Sequence, residues 1–174
     1  NNTDKFLLAS SSGKIFTICP INIQIAKGYG SPIRMFIDLA SEENIVSILK
    51  YSSNTKVLLS SYNNKGFIVP SMDTLMGQTK LGKQVFLLNP QDKLQVFKLI
   101  NDEDDHIAVI GENHKLLIFS ITELPIQNKG KGVNLQKVKQ GGLSDTISFK
   151  IDDGIECKIN NIHKSFKDIK LWLG

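Results

Sequence analysis

Three stretches of the chain repeat one another at a near-constant interval, and this periodicity constrains the fold more than any other feature. The run Lys5-Phe6-Leu7-Leu8-Ala9-Ser10-Ser11-Ser12-Gly13-Lys14-Ile15-Phe16-Thr17-Ile18 is echoed at residues 56–69 and again at 106–119, so that Phe6, Val57 and Ile107 stand 51 and 50 residues apart. Each copy is an apolar run, a polar turn ending in lysine (Lys14, Lys65, Lys115) and a second apolar run. Turn residues Ser-Ser-Gly, Asn-Asn and Glu-Asn-His between apolar runs predict three β-hairpins. A period of about 50 residues marks a repeat architecture, in which each unit is one supersecondary module.

The second half of each unit repeats as well. A short basic box with glycine follows every hairpin: Lys27-Gly28-Tyr29-Gly30-Ser31-Pro32, then Lys80-Leu81-Gly82-Lys83-Gln84, then Lys129-Gly130-Lys131-Gly132-Val133. Gly30, Gly82 and Gly132 keep the register, 52 and 50 residues apart. Each box leads into an expected third strand (residues 33–39, 85–88 and 133–138), and a fourth is expected at 45–51, 93–100 and 146–151. Four short strands per ~50 residues give an all-β, bladed radial array. The repeats run over about 5–54, 55–105 and 106–154 in one partial domain, with 155–174 as a strand or helix extension. Within that extension Ile162, Phe166, Ile169 and Leu173 fall at helical spacing, with Asn160 or Asn161 as the cap, which predicts a short C-terminal helix.

Of 174 residues, 41% are hydrophobic and 22% charged, a globular composition that excludes a disordered tail. No apolar run is long enough for a membrane helix, and no secretory leader pattern is visible. The chain does not begin with Met and is expected to be a piece of something longer. Cys19 and Cys157 are too few and too far apart for a disulfide framework, which fits a reducing, cytoplasmic setting. The net charge of +4 is unevenly spread. Acids are missing between Asp4 and Asp38, where Lys5, Lys14, Lys27 and Arg34 stand, and between Glu123 and Asp145, where Lys129, Lys131, Lys137 and Lys139 stand. Between Asp73 and Asp92 the only charges are Lys80 and Lys83, while acids gather at Asp102-Glu103-Asp104-Asp105 and Asp152-Asp153.

Blades related by rotation carry their boxes to equivalent radii, so the boxes and turn lysines form a basic band along one edge. The candidate DNA-contacting cations are Lys14, Lys27, Arg34, Lys65, Lys80, Lys83, Lys115, Lys129, Lys131, Lys137 and Lys139. Lys–phosphate contacts release counterions whatever the base sequence. The box glycines Gly28, Gly30, Gly82, Gly130 and Gly132 let the backbone take positive φ or approach a phosphate closely.

Other constellations carry no chemistry. Ser10-Ser11-Ser12-Gly13-Lys14 lacks the first glycine and the trailing hydroxyl of a P-loop. Asp102 to His106 is a solvated connection, and His114 and His163 have no spaced partner for zinc, so no metal site is expected. Cys19 has no inferable histidine partner, and no active site is read.

The run Gly130-Lys131-Gly132-Val133-Asn134-Leu135-Gln136-Lys137-Val138-Lys139-Gln140-Gly141-Gly142-Leu143-Ser144-Asp145 resembles the last blade of the C-terminal domain found in the A subunit of bacterial DNA topoisomerase IV. The phrases at 106–117, Thr3 to Leu8, Pro32 to Leu39 and Leu171-Trp172-Leu173-Gly174 resemble the same family, so the likeness covers nearly the whole chain. The resemblance implies a β-pinwheel, a disc of four-stranded blades with strands exchanged between neighbours, which binds and bends double-stranded DNA around its rim. It implies that the chain holds late blades of such a disc, without the cleavage machinery and its tyrosine; Tyr29, Tyr51 and Tyr62 stand in no matching motif. For the parent holoenzyme it further implies ATP and magnesium, the N-terminal domains of the same polypeptide, the ATPase partner (the B subunit of topoisomerase IV) and a nucleoid-associated location. The C-terminal domain of gyrase A is the near alternative; its Gln-Arg-Arg-Gly-Gly-Lys-Gly-like box has only a degenerate counterpart at Lys129-Gly130-Lys131-Gly132. A propeller-like protein-interaction module is an alternative of another class, and would expect apolar loop tips in place of Gly/Lys boxes.

Overall fold

In the computed structural model, which describes residues 4–20, 30–137, 140–159, 162–167 and 169, every predicted hairpin is present. The first is β1 (Phe6–Ser10) with β2 (Lys14–Ile18), the second β4 (Val57–Ser61) with β5 (Lys65–Val69), and the third β8 (His106–Gly111) with β9 (Leu116–Ser120). The turns share one geometry. Gly13, Asn64 and His114, each just before the turn lysine, have φ of 81°, 59° and 59°. Their N–H groups donate to the carbonyls of Ser10, Ser61 and Gly111 at 3.0, 3.1 and 2.9 Å. A tight turn followed by a left-handed residue is a three-residue hairpin loop, and glycine or asparagine adopts it at least cost.

The expected fourth strands form as β3 (Ile45–Lys50), β7 (Leu94–Leu99) and β11 (Leu143–Phe149), each pairing antiparallel with the first strand of its own hairpin. The strand at each box departs from expectation in length, and its pairing with a neighbouring repeat is the strand exchange that the resemblance implies. It shrinks to β6 (Lys83–Gln84) in the second repeat and β10 (Val133–Asn134) in the third. Each joins the hairpin of the preceding repeat, β6 beside β2 and β10 beside β5, giving sheet orders β3-β1-β2-β6 and β10-β5-β4-β7. The registers are equivalent: Lys14 faces Gln84 as Lys65 faces Asn134. These strands are short because the next residues leave the edge for the core; Val85 and Leu135 are 0% and 5% exposed.

Residues 33–39 are not a strand. Ile33–Met35 is a 3-10 turn behind Pro32. The Arg34 guanidinium then gathers the carbonyls of Leu39, Ala40, Ser41 and Glu43, which a curled loop supplies and an extended one does not. The expected C-terminal helix is corrected as well. Ile162–Phe166 is strand β13, paired with β12 (Ile155–Ile159) from Ile155↔Phe166 to Ile159↔Ile162. A spacing of four also fits one face of a strand, and Asn160 and Asn161, read as candidate caps, lie outside the described residues. Leu173 lies outside the described residues. Among the described residues there is no α-helix.

The cores lie between consecutive sheets. Strand alternation sends Val57 and Leu59 toward the first repeat, into a cluster with Leu7, Ile15, Phe67, Val85 and Phe86. Leu58 and Ile68 point the opposite way, into a cluster with Ile107, Val109, Leu135 and Leu143. A third cluster sets Ala108, Phe149 and Ile151 against Ile155 and Ile169. Strands buried on both faces read as continuous apolar runs, as Val57-Leu58-Leu59 does. Backbone bonds stitch the sheets in step: Leu94 N–H donates to Ser11 O at 2.8 Å, and Leu143 N–H to Tyr62 O at 2.7 Å.

Candidate nucleic-acid interface

Strand exchange places the turn lysine of one repeat beside the box of the next. Lys14 stands across from Gln84 with Ile15 opposite Lys83; Lys65 stands across from Asn134 with Gly66 opposite Val133. Each joint therefore combines a turn lysine with a following box.

The box glycines have a conformational role. Gly30, Gly82 and Gly132 have φ of 80°, 70° and 69°, a region that side-chain-bearing residues enter only at a cost. Two of them also pack on the preceding hairpin: a Cβ on Gly82 would lie 2.7 Å from the Phe16 ring, and one on Gly132 would lie 2.6 Å from the Gly66 carbonyl oxygen. Gly130 is held differently, against the Gln127 side chain, and Gly28 lies outside the described residues.

The candidate cations divide into two groups. Lys14 reaches the buried Glu43 at 3.5 Å. Arg34 is committed to the carbonyls of its own loop. Lys80 donates to Met35 O at 3.3 Å, and Lys83 donates to Thr74 O. In the other group Lys115, Lys129, Lys131 and Lys137 are exposed and Lys65 is half-buried, and none of the five has an ion pair among the described residues. Lys27 and Lys139 lie outside the described residues.

Sequence reasoning missed the link between successive turns. Tyr62 and Glu112 occupy equivalent turn positions 50 residues apart, and the phenol O–H donates to the Glu112 carboxylate at 2.9 Å. Gly142 N–H donates to the same oxygen at 2.9 Å, and the Lys93 ammonium lies 5.0 Å from the centre of the Tyr62 ring. The Gly142 N–H, then the Tyr62 hydroxyl, pull the Glu112 carboxyl below its ordinary value of 4.5, and the same bond raises Tyr62. The Gly141-Gly142 phrase is thereby explained: Gly141 has φ of 83°, and a Cβ on Gly142 would meet the Tyr62 ring at 2.3 Å. Tyr51 is likewise committed; its hydroxyl, with those of Ser53 and Ser71 and the Asn54 N–H, donates to Asp73 and holds that carboxyl far below its usual range. Asp105 is lowered by His106 and by the Ile151 N–H. A carboxyl whose folded pKa is depressed stabilises the fold above its ordinary pKa, and that contribution fades as pH falls through the lowered folded value. The melting temperature is therefore expected to hold flat from neutral pH to about 5 and to fall below about 4. Replacing Asp73 by Asn should make the acid limb shallower, as differential scanning calorimetry across pH would record. Among the described residues no three His, Cys, Asp or Glu side chains converge as metal ligands.

No family model matches the chain. Its sequence is 40% identical over 172 residues to the A subunit of DNA topoisomerase 4 from Rickettsia felis, covering 99% of this chain and 23% of that protein. It is 37% identical over 152 residues to the same protein from Caulobacter vibrioides, covering 87% of this chain and 20% of that one. In sequence, the chain is related to the topoisomerase IV A subunit. It spans about a quarter of the length of these relatives. The E. coli ParC C-terminal domain superposes with a TM-score of 0.84 at 20% identity, over 99% of this chain and 73% of that one. A DNA gyrase A C-terminal domain gives a TM-score of 0.71 at 22% identity, over 98% of this chain and 56% of that one. These likenesses establish the fold as the β-pinwheel shared by the ParC and gyrase A C-terminal domains.

Proposed function

We propose that this chain is a DNA-binding, DNA-bending C-terminal β-pinwheel of a type II topoisomerase, acting as part of the topoisomerase IV A subunit. The observation that carries the reading is the strand-exchanged joint, which sets Lys65 beside the glycine box of the following repeat, in a chain 40% identical to a topoisomerase IV relative. Sequence identity of 40% and 37% to two topoisomerase IV A subunits favours it over the gyrase alternative. The Gly/Lys composition of the joints speaks against a protein-interaction module.

In this reading the chain performs no bond chemistry. DNA lies along the curved rim, and phosphate contacts offset the elastic cost of bending, on the order of 1–6 kcal/mol for a short site. The bent segment is thereby positioned for strand passage, in decatenation or supercoil relaxation, by the parent enzyme. The N-terminal domains of the same polypeptide would supply cleavage and religation, and the ATPase partner would supply the ATP and magnesium chemistry, in the bacterial cytoplasm at the nucleoid. A gel-shift titration of the chain with unrelated duplexes at several salt concentrations tests the reading. Binding that is insensitive to sequence and falls steeply with salt is expected. Absence of binding at low salt would sink the DNA reading in favour of a protein partner.

A further inference from the structure

Among the described residues the free lysines are not shared out evenly between the second and third boxes, although the sequence spaces the boxes evenly. In the second box both lysines are occupied by protein carbonyls, Lys80 by Met35 and Lys83 by Thr74. The third box differs, because it runs across three neighbouring elements. At its start Gly130 bridges Phe86, and its carbonyl accepts from Leu87 N–H at 2.8 Å. In its middle Val133 and Asn134 pair with Gly66 and Lys65. At its end the Gln136 amide donates to the Lys115 carbonyl at 3.3 Å. Lys129, Lys131 and Lys137 thus lie on one continuous segment, which passes beside the backbone of Lys65 and Lys115.

Resting on the DNA-binding reading above, we infer that the phosphate contacts are concentrated on this one track and not shared equally between the second and third boxes. An ammonium already bonded to a carbonyl or carboxylate gives up that bond to meet a phosphate; a hydrated, unpaired one gives up only counterions and water. None of the five lysines has an ion pair with a carboxylate among the described residues. The partner is the backbone of a nucleic-acid duplex, read without base specificity. Five contacts give a slope of log affinity against log salt of about −4.5.

Two variant sets test the track on the intact chain, with melting curves confirming that each folds. Changing Lys65, Lys129, Lys131 and Lys137 to Gln is expected to flatten the salt slope by about 3.5 units and to lower affinity by more than about 100-fold near 50 mM salt. The pair Lys80→Gln and Lys83→Gln is expected to change the slope by less than about half a unit and affinity by less than about 3-fold. Comparable slope losses per lysine in the two sets would overturn the track while leaving DNA binding in place. A wild-type chain without salt-dependent DNA binding would overturn the track together with the reading on which it rests.

Discussion

Truncation of Phe67 to alanine is expected to destabilise the chain by about 3–5 kcal/mol, the cost of removing a large aromatic from a close-packed core. Phe67 is 0% exposed on β5. Its ring lies 5.1 Å from that of Phe86, centroid to centroid, in a tilted arrangement that adds to simple burial. Phe86 comes from the segment that has crossed to the edge of the preceding sheet, where its N–H donates to Gly13 O at 3.1 Å. The ring pair therefore fastens an exchanged strand to the hairpin of its own repeat. The cavity has little room to collapse, because Val57, Leu59 and Met72 around it are themselves fully buried parts of strands and turns. A second consequence follows from cores that lie between sheets. Stability in such a stack is a sum over neighbouring joints, so weakening one joint uncouples the units on either side. Urea denaturation of Phe67→Ala should show a lower midpoint and a shallower slope than the parent. A loss under about 1 kcal/mol with an unchanged slope would mean that the joint is not where the stability resides.

The elements legible in the sequence were those whose signals are local. Three hairpins were readable because each turn places glycine, asparagine or histidine just before a lysine, at the one position that needs a left-handed residue. The fourth strands were readable from apolar runs of ordinary length. The exchange was legible only through the family resemblance, since a strand of two residues such as Lys83-Gln84 has no periodicity, and nothing in it says which repeat it will join. Ile162 and Phe166 misled for a related reason: positions four apart suit both a helix and a strand. The site was legible in kind and not in detail. Box glycines at constant spacing announced a backbone requirement, whereas the engagement of Arg34, Lys80 and Lys83 depends on carbonyls of Leu39, Met35 and Thr74, acceptors that every residue possesses. The Tyr62–Glu112 bond had a usable signal, their equivalent positions in consecutive repeats, but complementarity between repeats shows only once the repeats are known to touch.

Alanine at the three box glycines is expected to produce a graded series, with Gly132 the most damaging. All three share a positive φ, so each substitution carries a conformational cost of about 1 kcal/mol. At Gly30 that is the whole effect, because a Cβ there meets nothing within 4 Å. At Gly82 the added methyl falls 2.7 Å from the Phe16 ring, the end of a side chain that rotates at some expense to its core. At Gly132 it falls 2.6 Å from the Gly66 oxygen and 2.8 Å from the Gly66 nitrogen and carbonyl carbon, all backbone of β5. A strand already paired on both sides has no free direction in which to move, and β10 must lift off instead. The expected losses are about 1 kcal/mol for Gly30→Ala, about 2 for Gly82→Ala and about 3 or more for Gly132→Ala. Lifting β10 also displaces Lys131 and the register of Lys65 with Asn134, so DNA affinity should fall in step with the fraction of intact joint. The competing explanation, that glycine is needed for a phosphate to approach the backbone, makes the opposite forecast for the same protein. A Gly132→Ala chain that melts at the parent temperature and yet loses DNA binding would establish approach, and the steric argument from Gly66 would be wrong.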